Sequence, residues 1–84
     1  MLNNFFTKGA AIHHVRNCLD EYQTITRQQL KECTVFYYGH AELQMYHQPT
    51  QQMFAFFWNT AKPTWTLPPR LEISPYRPVV SIPG

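Results

Sequence analysis

Residues 52–58 constrain the fold of this chain more than any other stretch. Four aromatic residues and a methionine fall within these seven positions, and no charged residue, glycine or proline interrupts them. An apolar run of this length is far too short to cross a bilayer. Because the chain has only 84 residues, whatever covers this segment makes up most of the hydrophobic core.

Pairing this segment with the residues before it predicts a β-hairpin with one register. If residues 48–51 form a type I turn, Pro49 takes its favoured second position. The facing pairs are then His47 with Gln52, Met45 with Phe54, Leu43 with Phe56, and Ala41 with Trp58. One face of the hairpin is wholly apolar in this register, and a shift by one residue would mix the two faces. A helix over residues 39–48 fits the apolar spacing loosely and stays the alternative.

Two helices are predicted before the hairpin. Residues 7–22 place apolar side chains at three- and four-residue steps, which is the pattern of an amphipathic helix. Thr26 and Gln29 have the spacing of a capping box. The second helix is therefore expected to begin at Arg27, to be short and to end near Cys33 or Thr34.

The C-terminal part of the chain changes character. Six of the seven prolines fall in residues 63–84, interleaved with aromatic and β-branched residues. Proline at this density excludes a helix and a central strand, whereas a disordered linker would be poorer in those apolar residues. We predict one α+β domain over residues 1–62, with two short N-terminal helices packed on a small antiparallel sheet (hairpin about 41–58). An extended proline-rich strap over residues 63–84 follows it.

Catalytic and metal-binding patterns are sparse. His14 and Cys18 lie four residues apart on the predicted helix, so both could reach one ion, but the chain contains no CxxC or HExxH motif. Its only serines, Ser74 and Ser81, lie in the strap, and its three glycines form no phosphate-binding loop. We therefore predict no enzymatic activity, no cofactor and no metal site.

The charge and aromatic content favour a protein partner. Charged residues make up 14% of the chain, against about 25% in typical soluble domains, and the net charge of +2 is not clustered. Tyrosine and tryptophan are frequent anchors of protein interfaces. We predict a non-enzymatic protein that occludes or bridges a protein partner, like an accessory or inhibitor protein of a phage or mobile element. The candidate contact residues are Tyr37, Tyr38, Tyr46, Phe57, Trp65 and Tyr76.

The second face of the hairpin also carries apolar residues that need to be covered. Met53, Ala55 and Phe57 fall on that face, and two short helices can cover only one side of the sheet. We expect the strap, a second copy of the chain or a partner to cover it, and the function to follow from that cover.

The order of predicted elements also resembles that of winged-helix proteins. The resemblance rests on residues 12–22, on residues 26–33 and on the hairpin as the wing, and it covers about half of the chain. It implies a DNA-binding regulator, and the candidate contacts would be Arg27, Gln28 and Lys31. In that family the helix after the capped helix reads the major groove, whereas the corresponding residues here, 35–48, contain no arginine or lysine.

The N-terminal residues do not have the pattern of a signal for export. It lacks the basic start and apolar stretch of a secretion signal, and no apolar run is long enough for a transmembrane helix. In a reducing compartment the two cysteines are expected to be free thiols. We therefore predict a cytoplasmic protein without membrane contact, for which a homodimer is an alternative to a different protein partner.

Overall fold

The computed structural model describes residues 7–76, without the side chain of Thr64. Two helices, α1 and α2, precede four strands, β1 to β4, which form one antiparallel sheet in the order β1-β2-β3-β4. The bounds are α1 Lys8–Asn17, α2 Arg27–Glu32, β1 Cys33–Tyr38, β2 Glu42–His47, β3 Gln52–Phe57 and β4 Arg70–Pro75, with 3-10 turns at Leu19–Glu21 and Thr64–Thr66. The predicted α+β class is confirmed.

The predicted hairpin is confirmed, including its register. Leu43 pairs with Phe56, and Met45 pairs with Phe54. Beyond the paired strands, the backbone N–H of Trp58 donates to the carbonyl oxygen of Ala41 at 2.9 Å. Residues 42–47 form a strand, so the alternative of a helix over residues 39–48 is wrong.

The turn between β2 and β3 spans residues 48–51. The N–H of Gln51 donates to the carbonyl oxygen of Gln48 at 3.2 Å, which is the hydrogen bond common in β-turns. Gln51 has a φ of 56°, a left-handed conformation that is uncommon for residues other than glycine. Its carbonyl oxygen accepts the N–H of Tyr76 at 2.9 Å, so the turn is held against the end of β4.

Helix α1 is shorter than its sequence pattern predicts. Its N-cap is Thr7, whose hydroxyl oxygen accepts the N–H of Ala10 at 3.1 Å. The helix ends at Asn17, and the N–H of Cys18 donates to the carbonyl oxygens of His14 at 3.1 Å and Val15 at 3.0 Å. The chain then tightens into the 3-10 turn Leu19–Glu21.

Helix α2 begins where the capping box predicts. The Thr26 hydroxyl oxygen accepts the N–H of Gln29 at 3.1 Å, and the Gln29 side-chain oxygen accepts the N–H of Thr26 at 2.8 Å. These two bonds satisfy donors that a helix start leaves unpaired. Helix α2 has only six residues and passes directly into β1 at Cys33.

The core lies between the helices and one face of the sheet, which we call the helical face. Apolar residues of α1, the 3-10 turn and α2 pack there against alternate residues of β2 and β3. The buried apolar residues are Ala11, Val15, Leu19, Ile25, Leu30, Leu43, Met45, Phe54, Phe56 and Trp58. The wholly apolar hairpin face of the sequence prediction is therefore the core.

Part of the predicted strap belongs to the sheet. Residues 70–75 form β4, which pairs with β3 and is an edge strand of the sheet within residues 7–76, a position where proline is tolerated. The segment before it is fastened to the helical side, since the Tyr22 hydroxyl donates to the carbonyl oxygen of Pro69 at 2.5 Å. The rest of the predicted strap, residues 77–84, lies outside the described residues.

Candidate functional site

The side of the sheet turned away from the helices, which we call the outer face, carries alternate residues of all four strands. It consists of Thr34, Phe36, Tyr37, Glu42, Gln44, Tyr46, Met53, Ala55, Phe57, Arg70, Glu72 and Ser74, with Tyr76 directly after β4. The outward residues of the central strands are all only half-buried. A solvated face of an antiparallel sheet is usually polar, whereas this one carries aromatic rings on three strands and beyond the fourth.

Three of these rings meet at the end of the sheet nearest the β2–β3 turn. The ring of Tyr76 lies 4.4 Å from that of Tyr46 and 5.7 Å, edge to face, from that of Phe36. Because the backbone N–H of Tyr76 is bound to Gln51, this ring is fixed across the face rather than left beside it. Half of Phe36 (50%) remains exposed.

A β-bulge shapes the β1 side of the same face. The register of β1 against β2 shifts between Val35 and Tyr37, so one extra residue is accommodated there. Phe36 and Tyr37 follow each other and are both about half exposed, at 50% and 49%. The bulge therefore presents two adjacent aromatic side chains to solvent.

The charges of the outer face are mostly satisfied within it. The Arg70 guanidinium lies over the ring of Phe57, 4.7 Å from its centroid, and its Nε donates to Glu72 Oε2 at 3.2 Å. The Gln44 amide donates to the carboxylate of Glu42. A partner that covers this face would meet one ion pair, Arg70 with Glu72, and the Glu42 carboxylate, which is hydrogen-bonded but has no counter-ion among the described residues.

The structure separates the predicted contact residues into two groups. Tyr37, Tyr46, Phe57 and Tyr76 lie on the outer face. Tyr38 instead packs against the core opposite Leu43, and burial raises the pKa of its hydroxyl. Trp65 is 62% exposed but lies in the 3-10 turn Thr64–Thr66, outside the sheet.

A buried histidine, His47, links three elements of the structure. His47 is 2% exposed, and its Nε2 lies 2.8 Å from Glu32 Oε1 while its Nδ1 lies 2.7 Å from Thr50 Oγ1. Bonds from His47, and then from Gln28, lower the pKa of the Glu32 carboxyl. The ionised carboxylate only accepts, so Nε2 carries the proton, and in the neutral ring Nδ1 accepts from the Thr50 hydroxyl.

This trio joins a hydroxyl, an imidazole and a carboxylate, as nucleophilic catalysis does. Thr50 lies in the exposed β2–β3 turn, and neither of the two clefts described below is lined by it. The bonds instead connect that turn, through His47, to the last residue of α2. We interpret these three side chains as a structural contact that holds the β2–β3 hairpin against α2.

The lowered pKa of Glu32 makes a prediction about acid stability. A carboxyl whose folded-state pKa lies below its ordinary value of 4.5 stabilises the fold above that pH, and loses this contribution as the pH falls through the folded-state pKa. We expect Glu32→Gln to be less stable than the wild type at neutral pH and to approach it below pH 4.5. Urea unfolding at a series of pH values measures this, and profiles that stay parallel into acid would contradict it.

The cysteines and histidines do not form a reactive or metal-binding cluster in the described part of the chain. Cys18 Sγ lies 3.7 Å from His14 Nε2, but burial, and then the charge of Glu21, raise the pKa of this thiol. Burial, and then Glu32, raise the pKa of Cys33 to about 11. Both thiols are free, and among residues 7–76 no three His, Cys, Asp or Glu side chains are grouped to hold a metal ion.

The candidate DNA contacts lie together on α2. Arg27, Gln28 and Lys31 are exposed there, and the Gln28 amide donates to Glu32 Oε2 at 3.1 Å. The residues that follow form β1 and β2. Over residues 35–48, the position of the groove-reading helix in winged-helix proteins is therefore occupied by strands.

Two surface clefts flank the sheet. One, of about 360 Å³, lies between the end of β3 and the proline-rich segment, and its lining includes Phe57, Trp58, Asn59, Leu67, Pro69 and Arg70. The other, of about 350 Å³, lies on the helical side and is lined by Arg16, Leu19, Arg27, Leu30 and Lys31.

In comparisons with known proteins, no family model matches this chain, and no curated protein or solved structure matches it either. Among residues 7–76 no helix combines the length and the apolar character that crossing a membrane requires.

Proposed function

We propose that this chain is a small, non-enzymatic binding protein that docks a protein partner on the outer face of its sheet. By doing so it would occlude a surface of that partner or bridge it to another protein. The observation that carries the proposal is the half-buried aromatic set of this face, formed by Phe36, Tyr37, Tyr46, Phe57 and Tyr76.

The chemistry of the outer face suits a protein more than a small molecule or a nucleic acid. Tyrosine and phenylalanine bury large areas with little loss of rotamer freedom. The charges of Arg70 and Glu72 neutralise each other, so the surface has no excess of positive charge for phosphates. Exposed aromatic side chains that cluster on one sheet face, as Phe36, Tyr46 and Tyr76 do here, are typical of a protein-binding surface.

We also propose that the protein acts in the cytoplasm and that the predicted strap contributes to partner binding. Free thiols with raised pKa values suit a reducing compartment.

The described part of the strap ends at Tyr76 on the outer face. Deleting residues 77–84 and measuring partner affinity would show whether the remainder of the strap takes part in binding.

Photo-cross-linking followed by affinity measurement tests the proposal. We expect benzoylphenylalanine at position 46 or 57 to cross-link a discrete protein in the native cell, and the same group at Gln23, on the helical side, to leave it uncross-linked. With that protein purified, Tyr46→Ser combined with Phe57→Ser should raise the Kd about a hundredfold, because centrally placed aromatic anchors carry much of the binding energy of an interface. Isothermal titration calorimetry gives the Kd.

Leu67→Ser is the matched control for the affinity measurement. Leu67 is 46% exposed and lies outside the outer face, so its substitution should leave the Kd within about twofold. Equal losses for the control and the outer-face variant would contradict the proposal, as would cross-links from Gln23 alone. Light scattering on the purified chain separates a second copy of the chain from a different partner.

DNA binding is the second candidate function. The observation that favours it is the exposed cationic group on α2, Arg27 and Lys31, with Arg16 beside it. The strand at the position of the groove-reading helix argues against sequence readout in the winged-helix manner. A complex that requires duplex DNA and weakens steeply with salt would favour this candidate over the first.

A further inference from the structure

The cleft on the helical side combines an apolar floor with a cationic rim, and we call it the basic cleft. Its floor is formed by Leu19 and Leu30, which are 5% and 3% exposed. The exposed side chains of Arg16, Arg27 and Lys31 surround that floor. The guanidinium of Arg27 donates to the carbonyl oxygen of Arg16 at 3.3 Å, so the two helices hold this side chain beside α1.

No carboxylate of the described residues forms an ion pair with a cation of this rim. Within residues 7–76, Glu32 bonds to His47 and Glu72 pairs with Arg70, and neither contact includes a cation of the basic cleft. Glu32, on the same helix, is held by His47 and Gln28, while Asp20 and Glu21 are not within ion-pair distance of any described cation. The fold therefore gathers three like charges around one cleft, an arrangement that an anionic ligand would relieve.

The cleft also limits the shape of that ligand. Its volume of about 350 Å³ is at the small end for ligand clefts, so it has room for one large side chain rather than an extended apolar surface. The leucines are nearly covered, and an inserted apolar group would also contact the aliphatic stems of the two arginines and the lysine. Guanidinium groups match carboxylates through paired hydrogen bonds.

A peptide fits these features better than a nucleic acid. None of the residues that line the basic cleft is aromatic, so it offers no ring on which an unpaired base could stack. Three cations also anchor few phosphates compared with typical duplex-binding surfaces. An apolar floor below a cationic rim instead matches a peptide in which acidic residues flank one apolar side chain.

We propose that the basic cleft binds an acidic peptide segment of a protein, with one aliphatic or aromatic side chain inserted between Leu19 and Leu30. The cleft lies on the helical side of the sheet and the outer face lies on the opposite side. The two surfaces are separate, and neither proposal depends on the other.

A nuclear magnetic resonance titration of the isotope-labelled full chain tests this site. The probe is the capped peptide Asp-Glu-Asp-Phe-Asp-Glu-Asp, compared with the same peptide carrying serine in place of phenylalanine. We expect shift changes concentrated in residues 27–32 and around Leu19, with about tenfold weaker binding of the serine peptide because the apolar insertion is lost. Binding should also weaken as salt is raised.

Matched charge removals test the location of binding. Arg27→Gln combined with Lys31→Gln should raise the peptide Kd about tenfold, since two charge pairs are lost. Lys8→Gln combined with Lys62→Gln removes the same net charge from exposed positions outside the cleft and should change the Kd less than about twofold. If the double variant in the cleft loses its amide dispersion, Lys31→Gln alone should still raise the Kd about threefold.

Three results would overturn the proposal. Equal losses in the two double variants would show binding to net charge rather than to the cleft. Shift changes in the same residues with a mixed-sequence DNA duplex, but not with the peptide, would assign the cleft to phosphates. If the peptide caused no chemical-shift changes at low salt, the basic cleft would not be a site for acidic peptides.

Discussion

Replacing Phe56 with alanine should destabilise the protein by about 3–5 kcal/mol. Phe56 is 0% exposed, lies between Leu43 and Leu71 on the neighbouring strands, and packs against Tyr22 with ring centroids 5.7 Å apart. Its removal leaves a cavity at the centre of the sheet that neighbours on a rigid hairpin cannot fill. A domain of this length has a total stability of only about 4–13 kcal/mol, and urea unfolding followed by circular dichroism measures the loss.

The adjacent residue supplies the control. Phe57 has the same side chain but lies half-buried on the outer face, with Arg70 above it. Phe57→Ala should therefore destabilise the protein by only about 1 kcal/mol. If Phe56→Ala is unfolded without denaturant, Phe56→Leu should still fold, with a loss of about 1–2 kcal/mol. Equal losses for Phe56→Ala and Phe57→Ala would contradict the assignment of the two faces.

The hairpin could be predicted from the sequence because its pattern leaves one register. Leu43, Met45, Phe54 and Phe56 share a face only when residues 48–51 form the turn, and the structure has that turn and those pairs. The capping box of Thr26 likewise depends on residues three apart, so the start of α2 needs no tertiary information. Local chemistry specifies these elements.

The bulge in β1 lies beyond what local pattern specifies. Strict alternation from Cys33 would turn Tyr37 towards the core and Tyr38 towards solvent. The extra residue at the register shift after Val35 reverses this, so that Tyr38 packs on the core and Tyr37 joins the outer face. Because pairing with β2 decides where the bulge falls, the sequence alone does not show that Tyr38 belongs to the core rather than to the contact residues.

The end of α1 and the position of the proline-rich segment also depend on contacts between residues that are far apart in the sequence. The apolar period continues to Tyr22, but the helix ends at Asn17 and the ring of Tyr22 turns to Phe56. Its hydroxyl then reaches the carbonyl oxygen of Pro69. The bond between Tyr22 and Pro69 spans 47 residues of chain, a separation that a search for periodicity within a window does not detect.

The two proposed sites share one physical origin in this small domain. Its two short helices cover only the helical face, so the outer face keeps half-buried aromatic rings. On the helical side, cations at the ends of α1 and along α2 meet around Leu19 and Leu30. A domain that buries a limited fraction of its surface thus presents one apolar and one cationic surface on opposite sides of a single sheet.

Replacing His47 is expected to have the second largest effect on stability. His47→Ala should destabilise the protein by about 2–4 kcal/mol, because it removes a buried ring beside Phe54 and two hydrogen bonds at once. His47→Leu keeps most of the volume and should lose about 1–2 kcal/mol. This loss stays moderate because the Glu32 side chain is 39% exposed and Thr50 is exposed, so both partners can bind water instead.

Urea unfolding at neutral pH compares these variants with His40→Ala, an exposed histidine between β1 and β2 that should change stability by less than about 0.5 kcal/mol. A leucine variant as stable as the wild type would mean that the buried side-chain volume alone accounts for the stability contributed by His47. The bonds to Glu32 and Thr50 would then add nothing. A leucine variant as unstable as the alanine variant would mean that those bonds account for the whole effect. The intermediate value is expected because the ring both fills the core beside Phe54 and fastens the β2–β3 turn to α2.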